Sequence, residues 1–292
     1  MPSVKVIQVV LRELIACGSQ ERMLEPGLIM DDPDQVSAFV EAGRENGVMA
    51  PVYLYHCAHI CEVIHAGDVV LDLACGPANQ LAMVARLNPD VGFIGVDLSL
   101  PMLEKAEALV GRMRLPNIDF RQADISNLET FGTATIDAVI STVALHHLPD
   151  LHALERTFAG IARVLKPGGG IYLVDFGRLK SEASMNYFAH QYADRQPAAF
   201  TADYLNSLHA AFTLDDFHAA VAPLADRGRL YSTFLIPYLV AIKSAVRRSP
   251  DPALHARLAG LRDRLPAWHQ ADFADLVRFF SLGGLKCGLL QN

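Results

Sequence analysis

The sequence predicts an α/β fold built on a doubly wound, mostly parallel seven-stranded sheet. Three observations carry this prediction. Short Val, Ile and Leu runs alternate with helical patterns from Gly67 to Phe176, two more strand patterns follow with no helix between them, and helical patterns fill the rest. Alternating strands and helices are typical of a parallel sheet covered on both faces. Around this sheet we expect N-terminal helices, a helical insertion after the fifth strand and a helical C-terminal extension.

Composition and charge exclude several classes of protein. Hydrophobic residues make up 51% and charged residues 20% of the 292 residues, which argues against a disordered or fibrous chain. The net charge of −7 disfavours nucleic acid or anionic lipid as a partner. The five cysteines are too few and too scattered for a disulfide scaffold or a zinc site, so we expect no metal and a reducing, cytoplasmic location.

Residues 1–66 are predicted to form an N-terminal helical cap. One helix start is marked by Asp32, which can cap free amides, and by Pro33 in the first turn; a second start lies at Pro51. Neither a signal peptide nor a membrane segment is predicted. Ahead of these starts, one helix face carries apolar residues that we expect to pack on the protein or on a partner: Val4, Ile7, Leu11 and Leu14.

Residues 67–180 are predicted to form the α/β core. Its Val-, Ile- and Leu-rich runs suit strands that are buried on both faces. Helical patterns separate most of these runs, as parallel crossover connections require. The predicted strands are 69–73, 93–97, 118–120, 136–141 and 170–176.

The rest of the chain departs from this alternation. Residues 181–228 form an aromatic-rich helical insertion that we expect to cover the substrate. Residues 229–243 supply two strands, 229–235 and 238–242, which Pro237 separates and which we expect to pair antiparallel through a tight turn. Residues 244–292 form a helical extension. Its apolar tail and the amphipathic N-terminal helix suggest a homodimer, since both would otherwise leave apolar faces in water.

A carboxylate follows each of the first three predicted strands: Asp72, Asp97 and Asp124. In an open parallel sheet, ligands bind at these carboxyl ends. A dinucleotide would need a glycine-rich first loop, but this loop has one glycine, Gly76, and Asp72 leads into it. Two like charges in contact cost about 1–4 kcal/mol, so a pyrophosphate is disfavoured there. A cationic nucleoside without phosphate, such as S-adenosylmethionine, fits better.

Five motifs in this order resemble the class I S-adenosylmethionine-dependent methyltransferases, in the branch that includes ubiquinone- and menaquinone-biosynthesis-type enzymes. The resemblance covers about Gly67 to Phe176 and implies a Rossmann-like methyltransferase fold. The motifs are Val69-Val70-Leu71-Asp72-Leu73-Ala74-Cys75-Gly76-Pro77, Gly95-Val96-Asp97-Leu98-Ser99, Ala123-Asp124, Ala144-Leu145-His146-His147-Leu148-Pro149-Asp150 and Leu165-Lys166-Pro167-Gly168-Gly169.

The resemblance also implies which residues bind the cofactor. The methionine end falls to Asp72, Ala74 and Gly76, with Thr142 beneath it. Asp97 binds the ribose hydroxyls, and Asp124 meets the adenine amino group. The adenine ring lies beside Leu98, Met102 and Ile125. Family members usually carry glycine where this chain has Ala74 and Ala78, so a tighter loop is expected.

Three questions stay open at the level of sequence. His146 and His147 are candidates for a base that deprotonates the acceptor, and a structural role explains them equally well. The acceptor is expected to be a small organic molecule, with a peptide or protein side chain as the alternative. A non-catalytic cofactor-binding scaffold and a dinucleotide oxidoreductase are the other functional hypotheses.

Overall fold

The computed structural model describes residues 4–18, 20–27 and 29–290. Its centre is a single sheet whose spatial order is β3-β2-β1-β4-β5-β7-β6. The strands are β1 (Val69–Leu73), β2 (Gly92–Asp97), β3 (Ile118–Gln122), β4 (Ile136–Thr142), β5 (Leu165–Phe176), β6 (Arg229–Ser232) and β7 (Leu239–Lys243). The first five strands pair in parallel, and β7 pairs antiparallel with both β5 and β6. The predicted fold class is therefore confirmed.

Helices cover both faces of the sheet and its carboxyl-end edge. Before the sheet come α1 (Val4–Ile15), α2 (Pro33–Ala42) and α3 (Ala50–Val63). The crossover helices are α4 (Asn79–Leu87), α5 (Leu100–Met113) and α6 (Leu151–Val164). After β5 come α7 (Glu182–His190), α8 (Ala198–Ala210), α9 (Leu214–Ala220), α10 (Pro252–Asp263) and α11 (Ala267–Leu282).

Alternation along each strand divides the core in two. In β1, Val70 faces the core that α3, α4 and α11 complete, whereas its neighbour Leu71 faces the core that α6 and α9 complete. Both side chains are 0% exposed. Burial on both faces explains why the strands read as continuous apolar runs.

The predicted helix start at Asp32 is confirmed. Its Oδ1 accepts hydrogen bonds from the backbone N–H groups of Asp34 and Gln35, at 3.1 and 3.0 Å, and Pro33 opens α2. These contacts satisfy amides that the first helical turn leaves without a partner.

The strand pair at the sheet edge is confirmed as antiparallel, but its connection is longer than predicted. The first strand ends at Ser232 instead of residue 235. The Thr233 hydroxyl donates to the Ile236 carbonyl at 2.7 Å and accepts from the Leu239 N–H at 3.1 Å. Leu235 has a φ of 69°, which no strand can continue through. The side chain of Thr233 thus closes a loop over residues 233–238.

The N-terminal helix packs through a different face from the one predicted. Val9 and Glu13 are 1% and 3% exposed. The Glu13 carboxylate accepts hydrogen bonds from the Lys180 and Ser181 N–H groups at 2.7 and 3.0 Å, which anchors α1 at the start of α7. The predicted face is exposed instead, by 47% at Ile7, 53% at Leu11 and 54% at Leu14. The side chain of Val4 lies outside the described residues.

The apolar C-terminal tail is covered by the chain itself. Leu285 is 1% and Cys287 is 5% exposed, and both belong to the core that contains α3. The tail therefore gives no support to self-association, contrary to the expectation from sequence. Within the described residues, no helix is both long and apolar enough to cross a membrane.

Candidate functional site

A cavity of about 300 Å³ opens at the carboxyl ends of β1, β2 and β4. The parallel topology brings the loops after these strands to one edge of the sheet, as expected for an open α/β fold. Every residue predicted to contact a cofactor lines this one cavity: Asp72, Ala74, Gly76, Asp97, Leu98, Met102, Asp124, Ile125 and Thr142.

Asp72 is a buried acid in this cavity, in a position that disfavours its ionised form. Burial and the neighbouring Asp97 raise the pKa of Asp72 well above its usual value. The side chain is 9% exposed, and the carboxylate receives no hydrogen bond from the described residues. Such a group favours a cationic ligand, because a positive charge offsets the cost of burying an unpaired anion.

Asp97, by contrast, is fixed by backbone hydrogen bonds. Its Oδ2 accepts from the Gly76 N–H at 2.8 Å and its Oδ1 from the Ser99 N–H at 2.9 Å. Burial raises the pKa of Asp97, and these two hydrogen bonds counteract part of that effect. The carboxylate is thereby held at the cavity wall, linking the loop after β1 to the start of α5.

The loop after β1 takes left-handed backbone conformations at Ala74, Gly76 and Ala78, with φ values of 54°, 53° and 60°. Alanine at such a position costs about 1–2 kcal/mol relative to its preferred conformations. The Cys75 N–H donates to the Val96 carbonyl at 2.9 Å, so neighbouring contacts hold the loop in place. The two alanines therefore adopt the backbone that a glycine-containing loop would have.

The N-terminal cap supplies residues to this cavity, of which the sequence pointed to Tyr53 alone, as a residue that could close over the cofactor or simply pack. Phe39, Met30 and Tyr53 line it, and Tyr53 is 7% exposed. The Ser99 hydroxyl donates to the Met30 carbonyl at 2.8 Å, which ties the segment before α2 to the start of α5. The helix start at Asp32 was the available signal, but it does not show where that helix docks.

Two histidines and two carboxylates form a chain beside the cavity. The Nδ1 atom of His146 donates to Asp175 Oδ1 at 2.7 Å. Nε2 of the same ring lies 3.6 Å from Glu25 Oε1, and Glu25 Oε2 lies 2.7 Å from Nδ1 of His147. His147 lines the cavity, whereas His146 is only 2% exposed and lies behind it. The predicted histidines are thus adjacent, but only His147 reaches the cavity wall.

Charge interactions among these four side chains shift the pKa values of His146 and Glu25. Burial disfavours the charged form of His146, but Asp175 and Glu25 outweigh it and raise the pKa of the imidazole. Burial also opposes ionisation of Glu25, yet the two histidines and the Ser207 hydroxyl lower the pKa of that carboxyl. The two shifts have one cause, since the acids favour the charged form of His146 and the histidines favour the charged form of Glu25.

Glu25 is the residue that sequence reasoning missed. It lies in the segment between α1 and α2, which carries no motif. Arg22 in the same segment donates to the carbonyls of His146 and Leu148 at 2.8 and 2.6 Å, and so clamps the segment onto the histidine turn. A buried Asp203, from α8, also faces this cluster, where burial and Glu25 raise its pKa to about 6.

Two smaller cavities continue from the histidines away from the sheet. The first, of about 80 Å³, shares Phe39, Val143 and His147 with the large cavity. The second, of about 170 Å³, shares Tyr204 and Tyr238 with the first. The large cavity and these two form a series in which His147 stands at the first junction. We name the two smaller cavities the distal chamber.

Two sets of side chains have spacings that could hold a metal ion. Glu25, His146 and His147 offer ligand atoms within 4.8 Å of one another, as do His59, Glu62 and Cys287. In the second set, Lys243 Nζ already contacts Glu62 and lies 2.9 Å from His59 Nδ1, so a cationic group occupies that place.

Comparison with known proteins identifies a conserved domain type. A family model described as "Methyltransferase domain" matches residues 70–169. The ubiquinone biosynthesis O-methyltransferase of Xanthomonas oryzae pv. oryzae is 31% identical over 187 residues, covering 60% of this chain and 75% of that one. The trans-aconitate 2-methyltransferase of Deinococcus radiodurans is 39% identical over 100 residues, or 34% of each chain.

The fold is also found among solved structures. An S-adenosylmethionine-dependent methyltransferase from Aquifex aeolicus superposes with a TM-score of 0.52 at 14% sequence identity, covering 74% of this chain and 98% of that one. At that identity the similarity concerns the fold alone.

Proposed function

Because the chain belongs to the class I S-adenosylmethionine-dependent methyltransferases, in the ubiquinone-biosynthesis-type branch, we propose that it methylates a hydroxyl group of a small organic acceptor. Methyltransferase activity and the cofactor follow from the family. The acceptor and the residue roles below are our proposals.

The large cavity is the proposed cofactor site, and its donor set fits the group. The unpartnered, buried Asp72 would hold the cationic end, and Asp97 the ribose hydroxyls. Asp124 would bind the adenine amino group. The other predicted residues would line the methionine end or the adenine: Ala74, Gly76, Thr142, Leu98, Met102 and Ile125. When bound, S-adenosylmethionine supplies an electrophilic methyl group that is transferred by in-line displacement.

The proposed base is His147, with Glu25 as the residue that positions it. Nδ1 of His147 lies 2.7 Å from Glu25 Oε2. With the proton on Nδ1, beside this carboxylate, the imidazole would keep a lone pair on Nε2 that can accept a proton from the acceptor hydroxyl. His146 lies beside this pair, hydrogen-bonded to Asp175, and lines the smaller cavity next to the large one; it is proposed to fix the turn and the charge of Glu25. The observation that carries the proposal is the position of His147 at the junction of the two cavities.

A carboxylate acceptor is the alternative, since one relative carries the name of a tricarboxylate. The cluster disfavours it, because Glu25 and Asp203 already place acidic groups at the junction. A peptide side chain is also disfavoured because the distal chamber is small and lined largely by aromatic and aliphatic side chains. We further propose a cytoplasmic location, supported by five cysteines that are all free thiols.

The test is turnover with matched acceptors. The purified protein, with S-adenosylmethionine, is incubated with a panel of phenols and alcohols and with their O-methyl ethers and carboxylic acid counterparts. We expect S-adenosylhomocysteine to be released above the buffer rate with hydroxyl acceptors and not with the ethers. Release with the acids alone would contradict the proposal. A parallel series with EDTA determines whether Glu25, His146 and His147 act with or without a metal ion.

A further inference from the structure

We infer that the distal chamber selects a ring-bearing acceptor whose far end, opposite the reacting hydroxyl, carries a hydroxyl or amine that donates a hydrogen bond to Asp272, and that it rejects acceptors with a carboxylate there. This inference rests on the proposed function and names the acceptor's chemical class.

The walls of the distal chamber are suited to a flat ring. Phe176 and Tyr204 lie with ring centroids 5.4 Å apart at 30°, and Phe188 stacks on Tyr238 at 3.9 Å and 12°. The hydroxyls of Tyr204 and Tyr238 hydrogen-bond each other, so neither phenol needs a partner from the acceptor. These faces run from the histidine cluster, where His146 lies 5.5 Å from Phe176, to the far cavity. These stacked pairs form a rigid aromatic wall, and a wall lined by aromatic side chains favours an aromatic or polycyclic ligand.

One carboxyl group is set into the far end. Asp272, from α11, lines the far cavity and accepts a hydrogen bond from the Tyr192 hydroxyl at 2.6 Å. Among the described residues, Tyr192 is its one hydrogen-bond donor, so Asp272 Oδ2 can accept a second hydrogen bond from a ligand. The nearby Asp275 also lines the cavity, but it pairs with Arg278 at 2.7 Å. Asp272 is therefore the acidic group available to the acceptor.

The charged side chains that line the distal chamber explain why it should reject a carboxylate. Among the described residues, neither a lysine nor an arginine lines either of its two cavities, whereas Asp203 lines the near one and Asp272 the far one. A carboxylate on the acceptor would meet like charge at Asp272, because Arg278 is paired with Asp275 and Arg195, which acts on Asp272, does not line the chamber. A hydroxyl or amine group would instead donate a hydrogen bond to a charged acceptor, which is among the stronger kinds of hydrogen bond.

The test compares four naphthalene compounds that share one ring system and one reacting hydroxyl. They are 2,6-dihydroxynaphthalene, 6-amino-2-naphthol, 2-naphthol and 6-hydroxy-2-naphthoate. Their dissociation constants are measured by calorimetry on the full chain with S-adenosylhomocysteine present, so binding is read without turnover. We expect the diol and the amine to bind about tenfold or more tightly than the carboxylate, with 2-naphthol between them.

Variants decide which group is responsible. Asp272→Asn removes the charge and should narrow the preference for diol over carboxylate to about threefold or less. The control is Asp263→Asn, an exposed acid at the end of α10 that lines neither cavity, and it should keep the preference of the wild type. Equal binding of diol and carboxylate, an unchanged preference in Asp272→Asn, or no binding of any naphthol at millimolar concentration would each overturn the inference.

The two proposals fail in different ways. Selective binding of the diol without any methylated product would leave the chamber's selectivity standing and contradict hydroxyl methylation. Methylation of all four compounds with equal affinity would support the proposed function and overturn the role of Asp272.

Discussion

The carboxylates of Asp72 and Asp97 face the same cavity, and within the described part of the chain only Asp97 has hydrogen-bond partners. Asp97 accepts hydrogen bonds from two backbone N–H groups, whereas Asp72 accepts no hydrogen bond from the described residues. Burial and the neighbouring Asp97 raise the pKa of Asp72. The pair therefore stores unfavourable charge that a cationic ligand would relieve. This relationship leads to the first two predictions.

Asp72→Asn should stabilise the cofactor-free protein and weaken cofactor binding. A carboxyl whose folded-state pKa is raised binds a proton more tightly when folded, so its presence lowers stability as pH rises from about 4 through the raised pKa. Wild type should therefore lose more stability than Asp72→Asn between pH 4 and pH 7. Thermal unfolding with and without S-adenosylmethionine measures both effects. A variant less stable than wild type at pH 7 without cofactor would contradict this account.

Asp97→Ala should weaken S-adenosylmethionine binding by about tenfold to a hundredfold, because hydrogen bonds to a buried carboxylate are lost. Calorimetry gives the affinity. Because the substitution removes the hydrogen bond that Asp97 accepts from Gly76, circular dichroism checks that the variant is still folded. The control is Asp119→Ala, an exposed acid on β3 outside the cavity. Loss of affinity in the control as well would show that net charge, not the site, governs binding.

His147→Gln should lower kcat by about a hundredfold or more while leaving cofactor affinity within a few fold, since general bases contribute about 10²–10⁴-fold. Glu25→Gln should cause a smaller loss, because the imidazole remains but its orientation is no longer fixed. The exposed His152, 72% accessible, provides the control variant His152→Gln. If kcat is unchanged in His147→Gln, the acceptor needs no base from this residue.

Breaking the buried pair of Lys243 and Glu62 should destabilise the fold. These side chains are 5% and 7% exposed and contact each other beneath the sheet. Glu62→Leu leaves the ammonium buried without its partner and should cost about 3–5 kcal/mol in urea unfolding. The double variant Glu62→Leu with Lys243→Met should recover much of that loss. Additive losses in the double variant would mean that the two charges do not act as a pair.

The exposed face of α1 should mediate a homodimer. Ile7, Leu11 and Leu14 are each about half exposed and adjoin one another on one helix face. Sedimentation should show a dimer for the wild type and a monomer for Leu11→Lys. Val246→Lys, at a site 57% exposed elsewhere, should remain a dimer. A monomeric wild type at micromolar concentration would remove this prediction.

Local patterns in the sequence determined the fold class and the residues that line the large cavity. Strand periodicity, the helix-start signals at Asp32 and Pro51, and the acids at the ends of the first three strands are properties of neighbouring residues, and parallel pairing then brings the strand ends together. Hence the nine residues that were predicted to contact the cofactor, the first being Asp72 and the last Thr142, line one cavity.

Only the tertiary structure decided what surrounds that cavity. Glu25 meets His147 across more than one hundred residues, and Asp272 reaches the distal chamber from the C-terminal extension. Likewise, α1 docks through the face that carries Glu13, whose carboxylate accepts hydrogen bonds from the backbone N–H groups just before α7, and its predicted apolar face is exposed. Such contacts depend on how separate helices dock, and docking depends on shape and charge summed over many residues, which no short sequence pattern encodes.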